Sequence, residues 1–263
     1  MSNLAAELDE LEARAWPAMT TSECDGWILR WSHGVSQRAN SVWPRSAGRR
    51  WNTPERVARA EAFYAEHGGP ARFQVSEGAS PPDLGAALAA HGYDPSPPVL
   101  MQTAEVAAAA KAAGPPRPAV ILRTVANDEW LSVWAGSHDR SMVDAEVARA
   151  ILDRVTLTSM FATLAIAGRP AAIGRAVLDG HWVGLLDVGT QPGARRQGAS
   201  RAIVATLLDW ARWQGATRAH LAVEEANEPA LALYKSLGFT TASTYRYWIP
   251  RKDAAAATPT STA

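Results

Sequence analysis

The sequence contains very little cysteine and no excess of charge of either sign. Cys24 is the single cysteine in 263 residues, which excludes an intramolecular disulfide, an iron–sulfur cluster and a cysteine-based zinc site. The six histidines show no ligand spacing such as His-x-x-x-His, so we expect no metal site. The 26 basic and 26 acidic residues cancel, and a chain without net charge has no overall field to attract nucleic acid or an anionic membrane.

Long apolar runs are also missing. No stretch reaches the ~18 consecutive apolar residues that a membrane-spanning helix needs. The amino terminus is acidic where a secretory signal would be basic. Leu4, Leu8 and Leu11 instead recur at helical spacing and predict an amphipathic first helix. We therefore expect a cytoplasmic protein with no membrane partner.

Length and composition predict two domains. The chain is 47% hydrophobic, enough for two modest cores, because a domain takes roughly 100–200 residues. The segment Gly114-Pro115-Pro116-Arg117-Pro118 interrupts regular structure, since proline fixes φ and removes a donor. The predicted division is a first domain over residues 1–106, a linker over 107–118, a second domain over 119–250 and a disordered tail over 251–263.

The second domain shows helical patterns interleaved with a largely sequential set of strands. The clearest helical pattern covers residues 198–213, where one stripe is apolar. Strand patterns lie at residues 119–124, 160–167, 171–178, 182–190, 221–223 and 240–249. This order predicts a mixed α/β domain, with a central, twisted, mostly antiparallel sheet flanked by helices.

An internal repeat relates the two domains. Subtracting 146 from the numbering of the second domain aligns five landmarks with the first. The aligned pairs are Gly238-Phe239 with Gly92-Tyr93, Arg218 with Arg72, Gly215 with Gly69, Arg195-Arg196 with Arg49-Arg50, and Val188 with Val42. Five matches at one offset, in similar predicted elements, indicate that the first domain is a diverged copy of the second.

A loop of small and basic residues opens the helix at residue 198. Gly198, Ala199 and Ser200 lack bulk, so a ligand could approach the unpaired backbone N–H groups at the positive end of the helix closely. Arg195 and Arg196 add positive charge nearby. The pattern indicates either a phosphate site or an ordinary strand–helix turn with solvated arginines.

A tyrosine near the carboxyl end of the second domain is a further candidate. Gly238 ends a predicted helix, where a left-handed residue is favoured, and Phe239 starts a buried strand. Tyr234 lies four residues before that glycine. Its phenol either donates a proton in a reaction or belongs to a core tyrosine whose hydroxyl is hydrogen-bonded.

Taken together, the segments 188–200 and 227–239 resemble the GNAT family of acetyl-CoA-dependent N-acetyltransferases. The family's loop pattern, Arg/Gln-x-x-Gly-x-Gly/Ala, is matched by Arg195 and Gly198, while Ser200 departs from it at the last position. Serine is still small enough for a close backbone approach. The order of elements over residues 119–249 matches this fold as well, so the resemblance covers about half of the chain. It implies two GNAT-like domains in tandem.

The resemblance implies acetyl-CoA as the donor and assigns its contacts. The strand end at Val188 and Thr190 would pair with the pantetheine arm, and Asn227 would contact the pantetheine side. Tyr234 would stand near the sulfur and protonate the leaving thiolate. The loop that would hold the pyrophosphate consists of Arg195, Arg196, Gln197, Gly198, Ala199 and Ser200.

The base that would deprotonate the acceptor amine has several candidates. Asp187 lies on the strand before the loop, and Glu224 and Glu225 follow the strand at 221–223. A water molecule could relay the proton instead. The turn His138-Asp139-Arg140 lies where this family meets its acceptor, and is otherwise an exposed polar turn.

The first domain lacks the same chemistry. At the offset of 146, Gly198 corresponds to Asn52 and Tyr234 to Leu88. A bulkier loop without the phenol predicts a degenerate copy that supports the second domain or walls its acceptor site. The segment from Trp43 to Trp51 combines aromatic and basic residues, but the absence of net charge argues against nucleic-acid binding.

The predicted function is transfer of acetyl from acetyl-CoA to a primary amine of a small molecule, such as an amino acid, by direct attack. A neutral chain offers no platform for basic protein tails, which favours a small acceptor over a protein amine. A non-catalytic acyl-CoA-binding or regulatory protein is the alternative from another class. No sequence feature assigns an oligomeric state.

Overall fold

The computed structural model describes residues 4–77, 81–116 and 119–251. The helices in these residues are α1 (Leu4–Ala15), α2 (Thr53–Glu66), α3 (Leu84–Ala90), α4 (Val106–Ala113), α5 (Asp128–Ser137), α6 (Met142–Leu152), α7 (Ala199–Trp213) and α8 (Glu228–Ser236). The strands are β1 (Thr20–Cys24), β2 (Trp27–Trp31), β3 (Val42–Pro44), β4 (Phe73–Ser76), β5 (Tyr93–Pro95), β6 (Val99–Glu105), β7 (Val120–Arg123), β8 (Ser159–Ile166), β9 (Arg169–Asp179), β10 (Trp182–Thr190), β11 (Arg218–Glu224) and β12 (Thr240–Pro250). None of the helices in the described part of the chain is both long and apolar enough to span a bilayer.

The chain forms two compact units. Of the residues that the structure describes, those of the first unit lie within residues 4–6, Ala18–Val99 and residues 244–251. The described residues of the second unit lie within Glu7–Pro17 and Leu100–Ser243. Both are mixed α/β, as the sequence predicts.

In the first unit, the strands follow the order β1-β2-β3-β4-β12, and β5 also pairs with β12. β1 to β3 are antiparallel neighbours, whereas β3 and β4 are parallel and joined through α2. β12 contributes its later residues, antiparallel to both β4 and β5. The core holds Trp27, Tyr64, Phe73 and Leu88, which are essentially inaccessible to solvent.

In the second unit, the strand order is β6-β11-β10-β9-β8-β7. β7 to β10 are antiparallel neighbours, and β10 and β11 are parallel with α7 as the crossover. The apolar stripe of α7, which includes Ile203, Val204, Leu207 and Leu208, is buried in the core of this unit. The stripe is what the helical pattern at 198–213 predicts.

The internal repeat is visible in the elements themselves. β3 ends at Pro44 and β10 at Thr190, which are 146 residues apart, 190 minus 44. α2 and α7 begin at Thr53 and Ala199, again 146 apart. α3 and α8 end at Ala90 and Ser236 with the same difference. Each unit therefore repeats a strand, a crossover helix, a parallel strand and a second helix, which confirms the tandem arrangement.

The units differ from the predicted division at 1–106, 107–118 and 119–250. The alanines of the predicted linker form α4, whose Val106 and Ala109 are fully buried in the core of the second unit. β6 and Glu7–Pro17 also belong to that unit, although both precede the proline-rich segment. A local proline signal marks a break in regular structure, but it does not report with which sheet the preceding strand pairs. The predicted tail beyond Arg251 lies outside the described residues.

Candidate active site

The central feature of the second unit is a pair of parallel strands, β10 and β11, that are paired at their beginnings and then separate. β10 and β11 pair through Trp182–Gly184 and Arg218–His220 only, although β10 runs on to Thr190 and β11 to Glu224. Beyond Gly184, no described residue pairs in a ladder with the edge of β10 that faces β11. Because unpaired strand edges present N–H and C=O groups, an extended ligand can add to such an edge as a further strand would.

A bulge lies within this open part of β10. The pairing of β10 with β9 shifts register between Leu186 and Gly189, and Asp187 has a φ of 55°. The left-handed region is uncommon for a residue other than glycine, although aspartate tolerates it better than most. The bulge re-aims the side chains that follow it, so Val188 packs on the core beside α7 while Asp187 faces α5.

Two buried donors hold the Asp187 carboxylate. Arg175 Nε lies 3.0 Å from Asp187 Oδ2, and the Arg175 side chain is fully buried. Trp134 Nε1 donates to Asp187 Oδ1 at 3.4 Å. Both oxygens of Asp187, a predicted base candidate, are therefore engaged by the protein itself.

The loop after β10 leads into the exposed amino terminus of α7. Arg195 Nε donates to the Thr190 carbonyl oxygen at 3.3 Å, which folds the loop back on the end of β10. Thr190 Oγ1 and Ser200 Oγ lie 2.9 Å apart and join that end to the first turn of α7. Ser200 thus has a bonding role that the sequence pattern did not predict.

Gly198 gives α7 an amino terminus without a side-chain cap. Its φ is 74°, it precedes the first helical residue, and no side chain caps the helix there. Arg196 is also left-handed, with a φ of 61°. Successive backbone N–H groups in such a turn, together with the positive end of the helix dipole, form a concave surface suited to an anion.

Tyr234 is buried in the hydrophobic core of the second unit, which also contains the apolar residues of α7. Burial raises its pKa to about 12, so the hydroxyl stays protonated at neutral pH. Two other buried tyrosines are bonded, Tyr64 to the Arg30 carbonyl oxygen and Tyr93 to Glu61. Within the part of the chain that the structure describes, the Tyr234 hydroxyl makes no such bond.

The remaining predicted residues are spread around these features. Glu224 and Glu225 are exposed at the end of β11. The Asn227 side chain accepts a hydrogen bond from the Ala230 amide at 3.2 Å and so caps α8. No hydrogen bond or ion pair joins the three predicted catalytic residues Tyr234, Glu224 and Asp187, all of which lie in described segments.

The turn at His138 lies beside the bulge. The His138 ring stacks on Trp134 at 5.6 Å, and its Nδ1 lies 2.9 Å from the Trp134 carbonyl oxygen. A Cβ on Gly189 would lie 2.9 Å from Ser137 Cβ and 3.1 Å from His138 Cε1. Glycine at 189 therefore allows the end of α5 to approach β10 closely.

Sequence reasoning missed the contribution of α1 to the second unit. Trp16, just after α1, stacks on Trp134 with ring centroids 6.3 Å apart. Glu12 Oε1 lies 3.2 Å from His220 Nδ1, and both side chains are almost fully buried. Arg175 was the one sequence signal for this contribution. A charged residue inside an apolar strand needs partners from elsewhere in the fold, and Trp16 is one of the residues beside its guanidinium.

The corresponding loop of the first unit is occupied by a side chain of the protein. The Asp25 carboxylate accepts hydrogen bonds from the amides of Arg49, Arg50 and Trp51 at 2.9 to 3.0 Å. These amides correspond to residues 195–197 at the offset of 146. Asn52, in place of Gly198, caps α2 through a capping box with Glu55. In the first unit, the amides at this loop position therefore bind a carboxylate of the protein itself.

The described residues contain no group of three or more His, Cys, Asp or Glu side chains placed to hold a metal ion. The arrangement around β10 instead combines an open strand edge, an uncapped helix start and a protonated phenol. In sequence order and in fold, these features define a GNAT-type N-acetyltransferase in tandem form.

Comparison with known proteins agrees with this class. The family described as "Probable histone acetyltransferase Rv0428c C-terminal" matches residues 5–248. The chain belongs to this family, and it is an acetyltransferase. It is 28% identical over 260 residues to the "Uncharacterized N-acetyltransferase YobR" of Bacillus subtilis (strain 168), covering 93% of this chain and 98% of that protein.

Solved structures share the fold. A GCN5-related N-acetyltransferase from Kribbella flavida superposes with a TM-score of 0.69 at 16% identity, covering 97% of this chain and 99% of that one. A tandem GNAT protein from the clavulanic acid biosynthesis pathway gives a TM-score of 0.61 at 15% identity, covering 94% and 88%. At these identities the likeness concerns the fold alone.

Proposed function

We propose that the second unit transfers acetyl from acetyl-CoA to a primary amine of a small molecule by direct attack. The observation that carries this proposal is the parting of β10 and β11 after Gly184 and His220, next to the uncapped start of α7. The open edge of β10 suits the amide-bearing pantetheine arm. The amino terminus of α7 suits the pyrophosphate to which the pantetheine arm is attached.

The residues that would hold the donor follow from this placement. Val188 and Thr190 would offer backbone groups to pantetheine, and the amides from Gly198 to Ser200 would bind the phosphates, with Arg195 and Arg196 adding charge. Gln197 completes this loop. The Asn227 oxygen caps α8, so its pantetheine contact would fall to the Nδ2 group.

The chemistry is an acyl transfer at a thioester. The amine nitrogen forms a bond to the carbonyl carbon while the carbon–sulfur bond breaks. Backbone N–H groups of the β10 bulge would stabilise the oxyanion, and Tyr234 would give its proton to the departing sulfur. With a pKa of about 12 the phenol is protonated at neutral pH, so it holds the proton that the departing sulfur would accept.

For the base, the exposed carboxylates at the end of β11 are favoured over Asp187. Both oxygens of Asp187 are engaged by Arg175 and Trp134. Glu224, with Glu225 beside it, is open to solvent, so it would accept the amine proton directly or through water.

A protein amine is the second candidate acceptor. The family that matches residues 5–248 is described as a probable histone acetyltransferase. The balanced charge of this chain favours a small acceptor instead, because a surface that binds lysine-rich tails needs an acidic excess.

Release of free thiol from acetyl-CoA tests the proposal. The panel should contain amino acids, other small primary amines and a lysine-rich histone peptide. We expect turnover with a small amine, and loss of at least about a hundredfold in kcat for Tyr234→Phe, the usual size for a general acid. Tyr93→Phe removes a hydroxyl bonded to Glu61 in the first unit and is the matched control, with unchanged kcat. Tight coenzyme A binding without turnover on any amine would favour the non-catalytic binding protein.

A further inference from the structure

Arg175 is an unusual residue for its position. It lies within β9, where the neighbouring residues from Ala171 to Val177 are buried, and its own side chain has no exposure. The guanidinium lies 5.4 Å from the Trp16 ring and 5.9 Å from the Phe161 ring. A buried cation costs several kcal/mol of desolvation, so its position must be supported by the anion that it meets. Asp187 is an anion that it meets, with Arg175 Nε 3.0 Å from Asp187 Oδ2.

Asp187 is unusual in its backbone. Its φ of 55° places it in the left-handed region, at the register shift of β10. Such a conformation costs about 1–2 kcal/mol for a residue with a side chain, and it persists only where the surroundings fix it. Arg175 of β9 donates from Nε to one oxygen of this carboxylate, and Trp134 of α5 donates from Nε1 to the other. Two neighbouring elements therefore fix the side chain.

The bulge determines where β10 points after it separates from β11. Asp187 and Val188 together lie opposite the single residue Gly174 of β9. Without the bulge, the pairing beyond Asp187 would shift by one residue and turn Val188 and Thr190 to the opposite faces of the strand. The backbone groups of Val188 and Thr190 are the ones proposed to bind the pantetheine arm of the donor. The conformation of one residue therefore decides whether the open edge is presented.

We propose that Asp187 is a positioning residue, fixed by Arg175 and Trp134, that holds the bulge of β10 in the conformation to which the coenzyme binds. It is then not the base of the reaction. This inference rests on the proposed function, since it concerns the binding of the same donor.

Calorimetric binding of coenzyme A tests the inference without any turnover. The variants are Asp187→Asn, Arg175→Met and the double variant, with Trp134→Phe as a variant that keeps an aromatic ring but removes the indole N–H that bonds Asp187. We expect each single variant at Asp187 or Arg175 to weaken binding about tenfold, as lost preorganisation does. Because the two residues act through one another, the double variant should lose no more than a single one.

Asp179→Asn is the matched control. Asp179 pairs with Arg14 at 2.6 Å within the same unit, but on the surface and at the far end of β9. The substitution Asp179→Asn should leave the affinity for coenzyme A unchanged. Urea unfolding of every variant separates folding from binding. If Asp187→Asn does not fold, Trp134→Phe and the charge-free double variant carry the same measurement.

Steady-state kinetics distinguish positioning from catalysis. We expect the KM for acetyl-CoA to rise and kcat to fall with it, because the bulge also carries the proposed oxyanion donors. The acidic limb of the pH profile of kcat should remain, because the base of the reaction is still present. Unchanged coenzyme affinity in all variants would overturn the inference. So would a kcat loss of about a hundredfold or more with loss of the acidic limb, which is the behaviour of a base. A wild-type protein that binds no coenzyme A contradicts the proposed function itself, which is a separate outcome.

Discussion

Gly184 and His220 face each other in the last paired step before β10 and β11 separate. A Cβ built on Gly184 would lie 2.8 Å from His220 Nε2 and 3.0 Å from its Cε1. The imidazole is nearly fully buried and lies 3.2 Å from Glu12 on its other side. Glycine at this step therefore leaves the space in which the histidine ring packs on the strand.

Gly184→Ala should destabilise the protein by about 1–3 kcal/mol, the usual cost of overpacking. In a His220→Ala background the added methyl group still meets Leu186 Cδ1 at 3.0 Å, but its contact with the imidazole is gone. Part of the cost should therefore disappear, with a coupling energy of about 0.5–3 kcal/mol. Denaturant unfolding of the four proteins in this cycle measures it. Equal costs in both backgrounds would contradict the steric explanation.

Gly198→Ala should weaken coenzyme A binding through the backbone alone. A Cβ there meets nothing within 4 Å, but the φ of 74° is unfavourable for alanine by about 1–2 kcal/mol. Gly193→Ala is the control, because that glycine is in the same loop, also has open space and has no left-handed φ. Isothermal titration with coenzyme A should show loss of affinity only for Gly198→Ala.

Asp25 should make the stability of the first unit depend on acid pH. The amides of Arg49 and Trp51, followed by that of Arg50, hold the pKa of this carboxyl below its usual 3.8. A lowered pKa in the folded state stabilises the protein above the unfolded pKa, and this stabilisation is lost as the pH falls through the folded value. Asp25→Asn should therefore lower Tm at neutral pH, and the difference from wild type should shrink as the pH falls below 3.8, the usual pKa of this carboxyl.

The control for that measurement is Asp83→Asn. Asp83 precedes α3 but makes no side-chain cap bond there, so its replacement should leave the pH profile of Tm unchanged. A constant Tm difference between Asp25→Asn and wild type at every pH would show that the carboxylate charge has no part in the loop.

Residues 119–251 expressed alone should fail to fold cooperatively. This fragment lacks β6, α4 and Glu7–Pro17, all of which belong to the second unit. Trp134 would lose Trp16, and the core would lose the fully buried Val106 and Ala109. Thermal unfolding followed by circular dichroism, with the full chain alongside, should show a sharp transition for the full chain only. A sharp transition and full coenzyme affinity in the fragment would contradict the assignment of these segments.

Much of the architecture could be predicted from local patterns. The helix after Gly198 and the left-handed Gly238 each depend on residues that are close in sequence. The repeat could be predicted because such local patterns recur at an offset of 146. Periodicity, capping and positive φ are local properties, so the order of residues is enough to predict them. The same applies to the position of Tyr234 on its helix, which follows from its spacing to Gly238. The burial of its phenol depends on packing against residues far away in the chain.

The sequence by itself determined that two copies of one α/β pattern follow each other and that only the second has the glycine loop and the phenol. The tertiary structure decided that α1 and β6 complete the second unit, and that Arg175 and Trp134 hold Asp187. The physical reason is the range of the interactions. Turns and helix starts are encoded within a few residues, whereas a buried arginine indicates only that it needs an anion, and the fold alone selects which one.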